Sequence, residues 1–503
     1  MKPMPRAISC SGGWRNGGDI AHAAAASPGR RIMTHRFHPS ILREYDIRGV
    51  VGRTLDEADA HAIGQTFGTR ARAIAEAQGQ SPCIVVGHDG RLSSPALERA
   101  LIEGLLSTGV DVVRIGLCPT PMLYFAEATL DGVTGGIQVT GSHNPADQNG
   151  FKFVLRGRPF FGEAIAELDR MARAENHATG KGQVTRATVI DSYVARLLAG
   201  IDGIDPAVLD GLRIGWDAGN GAAGPVIDRL VERLPGFHVR LHTAVDGHFP
   251  NHHPDPTVEA NLTDLRDAVA AHGLQFGVAF DGDGDRIGVV DSLGRVIWGD
   301  QLMMIFAEDV LQGHPGAAIV ADVKASNHLF ARIRALGGQA HMWKTGHSLI
   351  KSRMAEIGAP LGGEMTGHIC FADTYYGFDD ALYAAIRLIA ATVRLGRSVT
   401  ALRSAMPESV TTPELRFPVA EERKFAVIGE VMERLRQSGA TVEAIDGARV
   451  TTPDGWWLLR ASNTQAALTA RAESDDADGL ARLLHAIDAQ LAASGVAREA
   501  GLP

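Results

Sequence analysis

Short apolar runs alternate along this chain with polar, glycine-bearing turns and then with stretches of helical spacing. Pro82–Val86 leads into Gly87-His-Asp-Gly-Arg91, and Ser94–Ser107 follows with a helical period. Leu212–Trp216 leads into Asp217-Ala-Gly-Asn-Gly221 and then Pro225–Leu234. Ala317–Val320 leads into Ala321-Asp-Val-Lys324 and then Asn327–Leu336. Strand–turn–helix units of this kind predict α/β layers. Their openings recur about 110–130 residues apart, which predicts three domains of one type.

From about residue 407 the pattern changes. Helical stretches Glu422–Ser438 and Ala477–Ala493 surround short strands near Ala448–Val450 and Trp456–Leu459, the pattern of a smaller α+β domain. Pro407, Pro413 and Pro418 punctuate the approach and predict a linker. Residues 1–33 are rich in Gly, Ala and Arg, lack periodicity and lack the apolar core of a secretory signal. They are expected to be a disordered extension, or to precede a start at Met33. The expected division is 1–33 extension, 34–188, 189–295, 296–406 and 407–503.

The 503 residues suffice for several domains, and 45% apolar with 21% charged content is that of an ordinary globular chain. A net charge of −9 with no basic block argues against general nucleic-acid affinity. No apolar run reaches the roughly 18 residues of a membrane span. Cys10, Cys83, Cys118 and Cys370 are too scattered for a metal knuckle or redox pair, so reduced thiols in a cytoplasmic protein are expected.

Two segments carry candidate chemistry. Val139-Thr-Gly-Ser142-His143-Asn-Pro145 places Ser142 at the tip of a turn after a strand-like run over 133–139. The Gly-x-Ser-x-Gly elbow of a hydrolase is absent. Asp281-Gly-Asp283-Gly-Asp285-Arg286 follows strand-like Phe276–Phe280 and precedes Ile287–Val290. Three mutually repelling carboxylates ask for a cation, and oxygen-only ligands point to Mg2+. An EF-hand would need Gly at its sixth position and Glu at its twelfth, where Arg286 and Ser292 stand. Together the two segments suggest phosphate carried on a serine beside Mg2+.

Other loops suit an anionic sugar. Lys344-Thr345-Gly346-His347-Ser348 has a cation and hydroxyls around a glycine. In Gly363-Glu364-Met365-Thr366-Gly-His368, Glu364 and Thr366 point the same way if the loop is extended. Arg460-Ala-Ser462-Asn463-Thr464 combines a guanidinium with short polar groups, a set that suits a terminal phosphate. Glu44-Tyr45-Asp-Ile-Arg48-Gly49 places Tyr45 and Arg48 before a glycine turn. A competing reading is a nicotinamide enzyme. Gly219-Asn-Gly221-Ala-Ala-Gly224 fits the dinucleotide pattern, with Asp246 about twenty residues on.

In these segments, with Asn149-Gly-Phe-Lys152, the chain resembles the α-D-phosphohexomutase family, chiefly its bacterial phosphomannomutase/phosphoglucomutase branch. The resemblance runs from about Phe37 into the C-terminal region. It implies four domains around a central cleft, three similar mixed α/β domains and a smaller C-terminal α+β domain. It implies a phosphoserine at Ser142, and Mg2+ held by Asp281, Asp283, Asp285 and a serine phosphate oxygen. By the same resemblance Lys152, Arg48, His368, His143 and Arg286 form the catalytic set. Tyr45, Lys324, Thr345, Gly346 and His347 contact substrate, Glu364 and Thr366 bind sugar hydroxyls, and Arg460, Ser462, Asn463 and Thr464 hold the non-reacting phosphate.

The implied reaction interconverts hexose 6-phosphate and hexose 1-phosphate, of mannose and of glucose, through a hexose 1,6-bisphosphate. The partners implied are hexose phosphates alone, with no nucleic acid or membrane, in a monomer or weak homodimer. Some positions depart from the family pattern. Thr366 stands where the branch usually has serine, and Gln465-Ala466 where a proline often follows. Met365 favours the phosphomannomutase branch over phosphoglucosamine mutases, which tend to carry glutamine there, and phosphoglucosamine mutase stands as the alternative reading. A non-catalytic sugar-phosphate-binding protein is a further alternative, and the retained Ser142, aspartates, Lys152 and His368 argue against it.

Overall fold

The computed structural model describes residues 35–463 and 466–497. Four sheets follow one another along the chain. The first has seven strands and runs Ile47–Val50, Gln148–Leu155, Gly135–Val139, Cys83–His88, Asp111–Leu117, Val184–Arg186, with Arg158–Pro159 on the second of these. The second has five strands, the third four and the C-terminal sheet six. The first three mix parallel and antiparallel pairs. The C-terminal sheet is antiparallel throughout and packs helices Glu421–Ser438 and Ala477–Ala492 on it.

The three predicted repeat openings all form. Cys83–His88 feeds helix Ser94–Ser107, Arg213–Asp217 feeds Gly224–Val231, and Ala318–Asp322 feeds Asn327–Ala335. Each strand is buried along most of its length, which is why it reads as a continuous apolar run. The stretch around Pro413 and Pro418, expected to be linker, carries a strand instead. Leu415–Pro418 pairs antiparallel with Ala467–Ala470. Its inward residues Leu415 and Phe417 alternate with outward Arg416 and Pro418, and the strand pairs on one side only, an edge position where proline is tolerated.

Cys83, Cys118 and Cys370 are free thiols, and Cys10 lies outside the described residues. No helix among the described residues is long and apolar enough to cross a membrane.

Candidate active site

Strand Gly135–Val139 and its antiparallel partner Gln148–Leu155 are joined by the serine loop. Within that loop Ser142 adopts φ 52°, a left-handed backbone unusual for a non-glycine residue. The conformation is held from below. Asp89 accepts from the Thr140 hydroxyl at 2.8 Å and the Gly141 N–H at 3.1 Å. Arg91 donates to the backbone carbonyls of Ser142, Asn144, Pro145 and Gln148 at 2.6–2.9 Å, and its Nε donates to Asp89. A Cβ on Gly141 would lie 2.4 Å from Arg91 Nε, so only glycine lets the guanidinium in. Asp89 and Arg91 were visible in the sequence only as a strand–turn signal.

Ser142 Oγ donates to Asp281 Oδ2 at 3.0 Å and lies 3.1 Å from His143 Nδ1. The two segments singled out in the sequence therefore meet across 139 residues. Asp281, Asp283 and Asp285 are fully buried, and one oxygen from each lies within 4.8 Å of the others. Lys152 Nζ donates to Asp283 at 2.7 Å and to Asp285. Asp283 Oδ1 and Asp285 Oδ1 have no hydrogen-bond partner. Buried carboxylate oxygens left bare are costly, and a hard cation would satisfy them, so the donor set fits Mg2+.

The electrostatics of the cluster favour further positive charge beside Asp281. Burial, then the charges of Asp285 and Asp283, push Asp281 well above the usual carboxylate range. Burial would raise Asp283 too, but the Lys152 ammonium outweighs it and holds the group below its usual range. Burial opposes the charge on Lys152, yet Asp283 and Asp285 raise it above the ordinary lysine value. His143 is pushed well below its usual value by burial and then by Arg286, Arg48 and Lys152, so it is neutral.

A cavity of about 610 Å³ opens beside this cluster. Its wall includes Tyr45, Arg48, His143, Lys152, Arg286, Lys324, Thr345, Gly346, His347, Glu364, Thr366, His368, Arg460, Ser462 and Asn463. Every described residue expected at the site lines it except Ser142 and the three aspartates, which lie behind His143 and Lys152. Seven lysines and arginines face four carboxylates around it, a balance that favours an anionic occupant. Thr464 lies outside the described residues. Lys344, the cation expected from its loop, is exposed and is not part of the wall.

Long-range contacts tie the wall together. Asp446 accepts from the Thr345 N–H at 3.1 Å and from Arg460 Nε at 2.9 Å. Glu364 accepts the Gly346 N–H at 2.7 Å. Tyr45 donates to the Thr345 carbonyl and accepts from the Asn463 amide. Arg460 keeps one buried nitrogen without a partner. Glu414, not anticipated, pairs with Lys324 at 3.4 Å; burial would raise it, but the lysine charge brings it down to about 2.

His368 Nε2 accepts from Arg286 Nε at 2.9 Å. Its ring stacks on His347 at 4.9 Å, and the two Nδ1 atoms lie 3.0 and 2.9 Å from Asp379 Oδ2. Lys351 donates to Asp379 Oδ1 at 2.6 Å. Asp379 also escaped the sequence reading, because nothing local distinguishes it from any other loop aspartate. The Gly219–Gly224 stretch, weighed as a dinucleotide turn, instead supports the aspartate loop: the Ala222 N–H donates to the Gly282 carbonyl at 2.9 Å.

A buried serine against an acidic triad, beside a cationic cavity walled by all four sheet-bearing parts of the chain, is the architecture of a sugar-phosphate mutase. The chain belongs to the phosphoglucomutase/phosphomannomutase family. It matches that family's α/β/α domain I over residues 39–178, domain II over 191–294, domain III over 298–410 and the C-terminal domain over 414–490. It is 43% identical over 460 residues to the phosphomannomutase/phosphoglucomutase of Pseudomonas aeruginosa, covering 90% of this chain and 97% of that one. It is 40% identical over 447 residues to a Neisseria gonorrhoeae phosphoglucomutase, covering 88% and 95%. A crystal structure of a phosphoglucomutase/phosphomannomutase family protein from Burkholderia thailandensis superimposes with a TM-score of 0.83 at 43% identity, covering 93% of this chain and 99% of that one. The chain is accordingly an intramolecular phosphotransferase acting on hexose phosphates.

Proposed function

We propose that Ser142 carries the transferable phosphoryl group and that the chain interconverts the 6- and 1-phosphates of mannose and glucose. The contact that supports this most directly is Ser142 Oγ at 3.0 Å from Asp281, inside an acidic triad with two bare buried oxygens. In the first half-reaction the Oγ–P bond breaks and a bond forms from phosphorus to the free sugar hydroxyl. The product is a hexose 1,6-bisphosphate. After it turns over in the cavity, its other phosphate returns to Ser142 Oγ and the isomeric monophosphate leaves.

The protein's share is positioning and charge neutralisation. Asp281, Asp283 and Asp285, with a phosphoserine oxygen, would hold Mg2+, whose charge offsets that of the transferring phosphoryl group. Lys152 and Arg286 add fixed positive charge at the cavity wall. His368, on the cavity side, accepts the proton of the incoming hydroxyl at Nε2 once Arg286, which donates to that atom at 2.9 Å, turns to the substrate phosphate. The Lys152 ammonium, paired with Asp283 in the same cluster, gives Oγ its proton as that bond breaks and takes it back as the bond re-forms, while neutral His143 lies 3.1 Å from Oγ and orients it. Glu364 and Thr366 face the sugar's 3- and 4-hydroxyls, which mannose and glucose share. Arg460, Ser462, Asn463 and Thr464 grip the phosphate that is not reacting.

Intact-mass measurement on enzyme primed with glucose 1,6-bisphosphate should show one phosphate, absent from Ser142→Ala. A coupled assay should show turnover of mannose 1-phosphate and glucose 1-phosphate, with glucosamine 1-phosphate slower and all activity dependent on Mg2+. An unphosphorylated enzyme that still turns over, or an active Ser142→Ala, would refute the phosphoserine.

A further inference from the structure

We propose that Asp217, His242 and His252, with Asp264 beside them, form a second metal site that takes one transition-metal ion of the Zn2+ class. Asp217 ends strand Arg213–Asp217, and His242 follows the neighbouring parallel strand Phe237–Leu241, whose Leu241 lies opposite Asp217. His252 comes in from the loop beyond. The site therefore lies at the carboxyl ends of parallel strands, where α/β sheets place their ligands. One donor atom from each of the three residues lies within 4.8 Å of the others.

The contacts point to a shared cation. Asp217 is fully buried; one oxygen accepts the Gly219 N–H at 2.9 Å, and the other lies 3.0 Å from His252 Nε2. His252 Nδ1 lies 3.0 Å from the His253 carbonyl, a contact that commits the Nδ1 proton. His252 Nε2 and the Asp217 carboxylate then share one positive charge, either a second ring proton or a metal ion in its place. A ring nitrogen donating to a backbone carbonyl is also how metal-bound histidines are commonly oriented. Asp264 Oδ2 lies 2.9 Å from His242 Nε2.

Two comparisons within the molecule sharpen the assignment. The acidic triad has Lys152 against it, and the cluster of His347, His368 and Asp379 has Lys351. Among the described residues no lysine or arginine forms an ion pair with Asp217 or Asp264. Imidazole with carboxylate suits Zn2+, Co2+ or Ni2+, whereas the oxygen-only triad suits Mg2+. An ion here would fasten the 252–253 loop to the sheet. His253 Nε2 in turn contacts the His143 carbonyl, so the fastening would stiffen the serine loop from behind without entering the reaction.

The test uses the full chain, stripped with chelator and returned to excess Mg2+, then titrated with Co2+ by calorimetry and visible absorption. One equivalent of Co2+ should bind with the bands of a low-coordinate site. It should persist in an Asp281→Asn/Asp283→Asn double variant and vanish in His242→Asn. Asparagine accepts the left-handed backbone of position 242, φ 51°, so that variant should keep its fold and its Mg2+-dependent turnover. Added Zn2+ should raise the melting midpoint of the wild type and leave that of His242→Asn unmoved. Co2+ uptake unchanged in His242→Asn, uptake abolished in the double variant, or no equivalent bound by the wild type would each overturn the site. The last result would leave His252 as a doubly protonated partner of Asp217.

Discussion

Arg91 is 1% exposed yet carries a full charge, and five of its contacts go to one carboxylate and four loop carbonyls. Those carbonyls belong to or border the loop that presents Ser142, so the residue's effect on the proposed phosphoryl transfer is indirect. It fixes where Oγ sits. Arg91→Ala leaves Asp89 buried without its partner, a change of about 3–5 kcal/mol for broken buried pairs. Urea unfolding should show that loss. Arg91→Lys keeps the charge but cannot fork to four carbonyls. It should lower kcat with KM for glucose 1-phosphate little changed. A lysine variant with wild-type kcat would mean that the loop holds its shape without the fork.

At the scale of elements, helix Ala381–Leu395 is pinned at its start by Asp380. That carboxylate accepts from the Tyr383 N–H at 2.9 Å and from the hydroxyls of Tyr193 and Tyr375 at 2.9 and 2.8 Å. Tyr193 belongs to helix Ile190–Leu198, so one side chain joins two helices. Burial nevertheless outweighs these donors and raises Asp380 to about 6. A raised folded value means that stability is full below the unfolded value, near 4, and is lost as pH rises through 6. Asp380→Asn should flatten the dependence of the melting midpoint on pH between about 4 and 6. An unchanged slope would show that the tyrosine hydroxyls hold the carboxylate ionised throughout. The same contrast explains what the sequence revealed. The aspartate run and the serine turn were legible because their chemistry is local, and the repeat openings because buried parallel strands read as apolar runs. Asp379, Asp446, Glu414 and Arg91 were not, since each acts through partners outside its own loop. The Leu415–Pro418 strand was hidden by prolines that resemble linker punctuation.

For the whole molecule the proposed reaction turns on one cavity, with the proposed phosphate grip at Arg460, Ser462 and Asn463 on its wall. Ser142, the acids and His143 stand against residues from the first two sheets, while Arg460, Ser462 and Asn463 reach the same space from the C-terminal sheet. A reaction that moves phosphate between the two ends of a sugar, with a single serine and a single remote grip, must use that grip for either end in turn. Arg460 has a buried nitrogen without a partner and is otherwise held by Asp446 at 2.9 Å, so its guanidinium is aimed before substrate arrives. Arg460→Ala removes charged hydrogen bonds of about 1.5–3 kcal/mol. KM should then rise roughly 10- to 150-fold, and by a similar factor for hexose 1-phosphate and hexose 6-phosphate, with a smaller fall in kcat. Steady-state kinetics in both directions would check it. A large effect in one direction with none in the other would mean that each end of the sugar has its own grip, and the turning-over of the bisphosphate between two uses of one site would have to be abandoned.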